Sequence, residues 1–374
     1  MKICLDIQPA IGPGAGVGRY ARSLATHLPR QAGAADSLTY FYFDFKRQGQ
    51  PFQKPGARFR RCRLLPGALV QKSWARLGWP PYDAFAGRHD LYHFPNFFLP
   101  PLRRGKSVVT IHDVSFLRFP HFAEERNRRY LERTVPRTVA RADAILTISR
   151  FSASEITALL GVDPARVHAV PLAVAPHMQP ATPAEIASLR HKFGLERPYL
   201  LSVGTLEPRK NIPFLVEVFE RLAGGYDGDL VLAGAAGWKV EPILERIRRS
   251  PVASRIRRLH FVADADLPAL YSGADQFLCA SHYEGFGFPP LEAMACGTPV
   301  VSSPGGSLRE VLGEAALLLE PQDSALWRDR IAERLADRDG RPTLAAAGLA
   351  RAALYSWPET ARLTWDVYRK TAAL

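Results

Sequence analysis

Two glutamates, Glu284 and Glu292, bracket the run Glu284-Gly-Phe-Gly-Phe-Pro-Pro-Leu-Glu292-Ala-Met-Ala-Cys-Gly297. Carboxylates can accept hydrogen bonds from a ligand's hydroxyls, and a helix opening at Pro289 or Pro290 would turn its N-terminus toward an anion. Gly297 fits the C-terminal cap, which predicts a helix of about one to two turns with Glu284 in the loop before it and Glu292 in its first turn. The same residues have a plainer reading, in which Glu292 complements the helix dipole and Glu284 is a surface acid.

A second group is Gly204-Thr-Leu-Glu-Pro-Arg209-Lys210-Asn211, directly before the amphipathic stretch Ile212 to Leu222. Adjacent cations at a strand exit can neutralise a diphosphate that departs with negative charge, or they can be a solvated pair. His112-Asp113 follows the β-rich run Ser107 to Ile111. Its imidazole can position a substrate and handle protons, or serve as a satisfied structural group. The first loop, Gly12-Pro-Gly14-Ala-Gly16-Val-Gly18-Arg19-Tyr20, lets a backbone approach a ligand or simply makes a tight turn. Its spacing is not the dinucleotide fingerprint, and no acid follows where a ribose would need one. Ser307-x-x-Glu310, led in by Gly305-Gly306, reads as a capping box.

Positioning these residues needs strand exits. Short β-rich runs alternate with helical patterns: Lys2 to Ile7, Ser107 to Ile111, Ala144 to Ile148, Tyr199 to Val203, Asp229 to Ala233, Gln276 to Cys279 and Pro299 to Ser302. That alternation predicts an α/β protein with parallel sheets. Five prolines between Pro171 and Pro198 mark a connection between two separately wound domains, 1–175 and 176–356. Ligands of open parallel sheets sit outside the carboxyl ends of the strands, so the chemistry is expected in strand-to-helix loops facing a cleft between the two halves. A last helix is expected over Trp357 to Lys370, opened by Ser356 and Pro358.

Composition bounds the rest. The 374 residues are 47% hydrophobic and 23% charged, with no repeat or low-complexity block, which excludes disordered and fibrous classes. Cys4, Cys62, Cys279 and Cys296 lie far apart with no CxxC pair, against both a zinc site and a disulfide framework. Asp6 stands where a signal peptide would need its apolar segment, and no window reaches the roughly 20 apolar residues of a membrane span. A reducing, cytoplasmic setting is expected. The net charge is +13, mostly from Arg, which suits a nucleotide, a nucleic acid or an anionic membrane. Arg58 to Arg76 supplies six cations and no acid, interleaved with Phe59, Leu64, Leu65, Trp74, Leu77 and, beyond Arg76, Trp79. A helix resting on an anionic leaflet needs that pattern, and so does a basic loop over the core. Arg126, Arg129, Arg133, Arg137 and Arg141 share one helical face and read as a solvated stripe.

The chain resembles the retaining, nucleotide-sugar-dependent glycosyltransferases of family four, and most closely bacterial mannosyltransferases of surface-polysaccharide assembly. The likeness runs through Thr110-Ile-His-Asp-Val114, Ala144-Ile-Leu-Thr-Ile-Ser149, Val203-Gly-Thr-Leu-Glu-Pro-Arg-Lys-Asn211, Leu267-Pro-Ala-Leu-Tyr-Ser-Gly-Ala-Asp275, the E-x7-E segment and Val311-Leu-Gly-Glu-Ala-Ala-Leu317. It implies the GT-B fold, two Rossmann-like parallel-sheet domains facing across a cleft, with the last helix returning to the first domain. It also implies that Arg209 and Lys210 hold the donor diphosphate and that Glu292 binds the ribose hydroxyls. Glu284, with the backbone around Phe286, Gly287 and Phe288, would touch the donor sugar. His112 would sit over the transferred sugar, Gly16 would let the first loop approach donor or acceptor, and Val262 would meet the base. The sequence departs from its relatives at Cys279-Ala-Ser-His282-Tyr, where a proline is usual before the serine.

Transfer of a hexose, mannose from GDP-mannose, to a hydroxyl of a glycan or lipid-linked acceptor is therefore expected, with retention. No metal and no cofactor are expected, since no DxD-like motif stands at a suitable strand exit and the two cations can replace a metal. UDP-sugar donors stay open. A nucleotide-sugar epimerase of the same architecture and a basic nucleic-acid-binding protein are the rivals, the latter lacking any zinc-finger, helix-turn-helix or aromatic RNA-binding signature. The expected partners are a nucleotide sugar, the acceptor and, through Arg58 to Arg76, the inner face of the plasma membrane.

Overall fold

The computed structural model describes the chain except for residues 12–15, 48–51 and 53–55. It divides into two compact units. Unit 1 comprises Met1–Leu117, Arg126–Leu172 and Ser356–Leu374, and unit 2 comprises Arg118–Glu125 and Ala173–Tyr355.

Unit 1 is built on seven strands: β1 (Lys2–Asp6), β2 (Ser37–Phe43), β3 (Ala57–Cys62), β4 (Leu91–Phe94), β5 (Lys106–Thr110), β6 (Ala144–Thr147) and β7 (Val167–Ala169). Their order across the sheet is β3-β2-β1-β4-β5-β6-β7, and each neighbouring pair is parallel. Every residue of β4 and β6 is buried, as expected of strands covered on both faces. Tyr82, Phe94, Val109, Ile145 and Ile156 sit in the core under this sheet.

Unit 2 carries β8 (Tyr199–Val203), β9 (Asp229–Ala233), β10 (Ile256–Leu259), β11 (Gln276–Cys279), β12 (Val300–Ser302) and β13 (Leu317–Leu318), in the order β10-β9-β8-β11-β12-β13, again all parallel. The helix Ile212–Leu222 lays Leu215, Val216 and Phe219 on this sheet, and Trp327 and Ile331 arrive from the helix Ser324–Ala336. The seven strands read from sequence end within a residue or two of their observed bounds. Both sheets are α/β and Rossmann-like, each reversing its order beside its first strand.

Two expectations change. The proline-rich stretch Pro171 to Pro198 is not only a connection: it contains the helix Pro183–Phe193, with Pro183 at its first position, Thr182 and Glu185 in a capping box, and Gly194 as left-handed C-cap. Those residues nucleate a helix that the proline count conceals. The basic stretch is not one helix either. Arg58, Arg60 and Arg61 lie in the outermost strand β3, and the helix begins only at Gly67. Trp74 turns into the core, while the Arg126 to Arg141 stripe is solvent-exposed as read.

The terminal helix Trp357–Ala372 belongs to unit 1. Ser356 caps it, Thr360 Oγ1 donates to the Pro171 carbonyl at 2.7 Å, and Trp365 Nε1 donates to the Leu28 carbonyl at 2.8 Å. All four cysteines are free and buried. Among the described residues no helix is long and apolar enough to cross a membrane.

Close packing at the exits of β8 and β9 depends on one glycine. Gly234 has φ +147, and a Cβ there would lie 2.0 Å from the Gly204 carbonyl oxygen. Gly234→Ala is expected to destabilise the protein by about 1–3 kcal/mol, the range of strained or overpacked core substitutions. Gly224→Ala, where a Cβ meets nothing within 4 Å, is expected to stay within about 0.5 kcal/mol of wild type. Chemical denaturation of both variants checks this, and equal stabilities would refute it.

Candidate active site

Strand order in unit 2 reverses between β8 and β11, which is where open parallel sheets receive ligands. The loop leaving β8 carries Glu207, Arg209 and Lys210, and the loop leaving β11 carries Ser281 and Glu284. Side chains from the two loops meet. Arg209 Nη1 donates to Glu284 Oε2 at 2.9 Å, and Lys210 Nζ donates to Glu284 Oε1 at 2.6 Å. Ser281 Oγ donates to the same Oε1 at 2.7 Å, and the second arm of Arg209 reaches Glu207 Oε1 at 2.5 Å. Arg209 Nη1 also donates to the Tyr283 carbonyl at 2.6 Å, while its own carbonyl accepts from His282 N at 2.9 Å.

Glu207 and Glu284 are only 2% and 7% exposed, so Glu284 is not the surface acid of the plainer reading, and Arg209 and Lys210 are not a solvated pair. Buried carboxylates persist as anions only when paired and hydrogen-bonded. Burial pushes the Glu284 carboxyl up, and the charges of Arg209 and Lys210 with the Lys210 and Ser281 hydrogen bonds more than offset this, holding it at about 2.

The floor beneath this cluster is made by residues 303–307. Ser307 N and Oγ both donate to the Glu284 carbonyl, at 2.9 and 3.1 Å, and Ser303 Oγ donates to the Ser281 carbonyl at 2.5 Å. A Cβ on Gly306 would lie 2.3 Å from the Glu284 carbonyl oxygen. The expected capping box is therefore absent: Ser307 makes no side-chain cap to the helix Leu308–Leu312, because its hydroxyl is spent on the loop that carries Glu284.

After Glu284 the chain turns at Gly287, φ +92, into the helix Phe288–Ala295. The helix starts before the two prolines, so Glu292 falls in its second turn rather than its first. Glu292 is 2% exposed and accepts from the Tyr271 hydroxyl at 2.8 Å. Phe286 is a core residue, edge-on to Phe288 and Tyr355, so its backbone and not its ring is what the loop offers. Val262 is buried three residues past the end of β10, and Phe261 beside it is 80% exposed.

In unit 1, His112 lies two residues past β5 and is buried. Its Nε2 meets the Pro95 carbonyl at 3.0 Å. A carbonyl only accepts, so Nε2 carries the proton and Nδ1 is the acceptor of the neutral ring. Burial lowers the imidazole pKa against the opposing influence of Pro95 and Asp113, favouring that neutral form. The Tyr20 ring stands edge-on to it at 5.1 Å, and the Phe97 ring lies at 5.5 Å. Asp113 accepts from Ser115 N at 2.9 Å, a turn-forming role. Gly16 opens the helix Gly16–His27 with nothing among the described residues within 4 Å of a Cβ, whereas a Cβ on Gly18 would lie 2.9 Å from the Pro9 carbonyl oxygen. Packing therefore demands Gly18 and leaves Gly16 room. Gly12 and Gly14 lie outside the described residues.

Glu207, Ser281 and Ser303 escape the motif reading. Glu207 stood inside a quoted motif without a role; its signal is an acid two residues before an arginine at a strand exit. Ser281 is three residues before Glu284, on the same turn. Among the described residues no three His, Cys, Asp or Glu side chains gather as a metal ion would require.

Glu284 gives a pH signature. A carboxyl held at about 2 in the folded state, against an ordinary 4.5, contributes stability that is present above the ordinary value and lost as pH falls toward 2. The shift corresponds to about 3 kcal/mol. Between pH 5 and pH 2 the wild type is expected to lose that much more unfolding free energy than Glu284→Gln. Parallel losses in the two proteins, followed by denaturant titration at each pH, would remove the ion pair from the account.

Residues 14–177 match the family model for Glycosyltransferase Family 4, and residues 185–350 match that for Glycosyl transferases group 1. The chain is 33% identical over 383 residues to O-antigen chain mannosyltransferase B of Escherichia coli, covering 99% of this chain and 100% of that protein. Among solved structures, a sucrose-phosphate synthase from Thermosynechococcus elongatus superposes with a TM-score of 0.77 at 22% identity, over 100% of this chain and 99% of the other. HepE of Anabaena, in complex with UDP and glucose, superposes with a TM-score of 0.73 at 20% identity over 100% of both chains. With the matched models spanning both units and a full-length relative at this identity, the chain belongs to the family 4, group 1 glycosyltransferases of GT-B fold.

Proposed function

We propose that this glycosyltransferase moves mannose from GDP-mannose to a hydroxyl of a glycan or lipid-linked acceptor, with retained anomeric configuration and without a metal. The observation that carries the reading is the Arg209–Lys210–Glu284 cluster at the strand-order reversal of unit 2. As the glycosidic bond loosens, charge accumulates on the departing diphosphate, and preorganised cations stabilise it there without reorganisation. An incoming diphosphate competes with Glu284 for Arg209 and Lys210, which turns the Glu284 carboxylate toward the donor sugar's hydroxyls. Glu292 serves the ribose hydroxyls, the backbone from Phe286 to Phe288 serves the donor, and Val262 lies toward the base. His112, protonated at Nε2, offers Nδ1 as an acceptor to a hydroxyl of the transferred sugar. The choice of mannose is supported by the name of the Escherichia coli relative.

A glycosidase would need two carboxylates flanking the sugar, and in this assignment Glu292 is committed to ribose. An epimerase would release a free altered nucleotide sugar without an acceptor. A nucleic-acid binder would show steep salt dependence of binding.

The testing experiment combines a donor screen with a transfer assay. GDP-mannose is expected to raise the melting temperature more than UDP-glucose, since a ligand at 100 times its Kd adds about 2.7 kcal/mol to folded-state stability. Transfer is expected to survive EDTA, and Lys210→Ala is expected to lower kcat about 10²-fold or more. Activity abolished by chelation and restored by a divalent cation would overturn metal independence, and preference for a uridine donor would overturn GDP-mannose.

A second reading, peripheral membrane contact, rests on the surface around the helix Gly67–Leu77. Leu64, Leu69, Leu77 and Trp79 are 87, 58, 76 and 61% exposed, in company with exposed Arg61, Arg63, Lys72 and Arg76. Apolar side chains beside cations suit the cytoplasmic leaflet, each cation adding about 1 kcal/mol near an anionic surface. The protein is expected to float with phosphatidylserine-containing vesicles and not with neutral ones, and replacing Leu69, Leu77 and Trp79 by Ser is expected to abolish flotation. Equal flotation of the triple variant would dismiss this surface.

A further inference from the structure

Strand order in unit 1 reverses between β1 and β4, so the loop leaving β4 emerges where such sheets hold ligands. That loop is Pro95-Asn96-Phe97-Phe98. Phe97 has φ +50, a left-handed backbone that a bulky aromatic residue adopts only when its surroundings dictate it. They do so here. Phe97 N donates to the Thr110 carbonyl at 3.0 Å, and Phe98 N donates to the Asn96 carbonyl at 2.5 Å. The Pro95 carbonyl is the group that holds His112 Nε2, and the Phe97 ring lies 5.5 Å from the His112 ring. The loop is thus tied on both sides to the end of β5, and its tip presents Asn96 to solvent beside the half-buried Phe97.

Core packing accounts for Leu99, which is buried, and for the covered sides of Phe97 and Phe98, which both pack against the core. It does not account for an exposed amide held by a strained backbone at a strand-order reversal, one residue from the carbonyl that orients His112. We propose that Asn96 and Phe97 form a binding site for the acceptor sugar. The inference rests on the transferase reading given above and names residues for its acceptor side. A carboxamide donates two and accepts two hydrogen bonds, which matches neighbouring hydroxyls of a pyranose. An adjoining aromatic face covers the C–H face of the same ring. A neutral amide with an aromatic neighbour selects an uncharged polyol, whereas a phosphate group would call for cations.

The test uses the full chain with GDP-mannose and, as acceptor probes, octyl α-glycosides of mannose, glucose, galactose and N-acetylglucosamine. With the glycoside that the wild type uses, Asn96→Ala is expected to raise the acceptor KM roughly tenfold, as loss of hydrogen bonds to a bound hydroxyl pair implies. Asn96→Asp, which keeps the size but lacks the donors, is expected to fall between. The Kd for GDP-mannose, measured calorimetrically on the same proteins, is expected to stay within about twofold of wild type, a split that general damage to the fold would not produce. An unchanged acceptor KM in Asn96→Ala overturns the acceptor site and leaves the transferase reading intact. A wild type that binds GDP-mannose and uses none of the four glycosides also overturns it. A wild type that neither binds nor consumes any nucleotide sugar overturns both.

Discussion

One buried ion-pair cluster organises unit 2. Glu284 and Glu207 are removed from water, and Arg209 and Lys210 are the cations that pair with them. Desolvating a carboxylate costs several kcal/mol unless partners with good geometry surround it. Here the partners arrive from loops that leave two neighbouring strands, so pairing the charges also fixes the two loops against each other. Ser281, Ser303 and Ser307 complete the arrangement by satisfying the remaining acceptors with hydroxyls and backbone N–H groups. Networks of this kind rigidify when every member is satisfied.

The glycines follow from the same constraint. Lys210 crosses Gly204, where a Cβ would come within 3.3 Å of the lysine stem, and the Gly204 carbonyl leaves no room for a side chain at Gly234. Gly306 is pressed on Glu284, and Gly287, at φ +92, turns the loop into the helix that carries Glu292. Gly204 and Gly234 stand directly at strand exits, and Gly306 and Gly287 lie further along the loops that follow β12 and β11. In unit 1 the corresponding task falls to a non-glycine residue. Phe97 accepts a left-handed backbone there, at a cost on the order of 1–3 kcal/mol, which the hydrogen bond to the Thr110 carbonyl and the core contacts of its ring offset.

Much of this was legible in the sequence where one physical signal dominates. Strands covered on both faces announce themselves as short apolar runs, and β8, β9 and β11 fall where the runs do. β3 does not, because an outermost strand with five partly or fully exposed positions before its end can carry Arg-Phe-Arg-Arg. The motif residues Arg209, Lys210 and Glu284 could be singled out by chemistry, yet their mutual pairing could not, since 74 and 75 residues separate the partners. Ser307 misled for a related reason: its local spacing satisfies a capping box, while a carbonyl 23 residues earlier competes for the same hydroxyl and wins. The helix Pro183–Phe193 is concealed in a proline-rich stretch because proline breaks a helix in its interior and suits it at its first position, where Pro183 stands.

Within the cluster the two cations do different physical work. Arg209 divides its planar fork between Glu207, Glu284 and the Tyr283 carbonyl, and so links the two loops. A guanidinium suits that role because its donors are fixed in one plane and its charge is weakly hydrated. Lys210 instead places a compact ammonium at the end of a flexible stem, bonded to Glu284 Oε1, and an ammonium can reorient three donors about its axis without moving the backbone. Exchanging Arg209 for Lys would break the clasp between the loops. Exchanging Lys210 for Arg would bring a rigid fork into the space over Gly204 that the lysine stem now crosses. The order of the two residues in Pro208-Arg209-Lys210 is therefore set by geometry: the one that spans must precede the one that reaches.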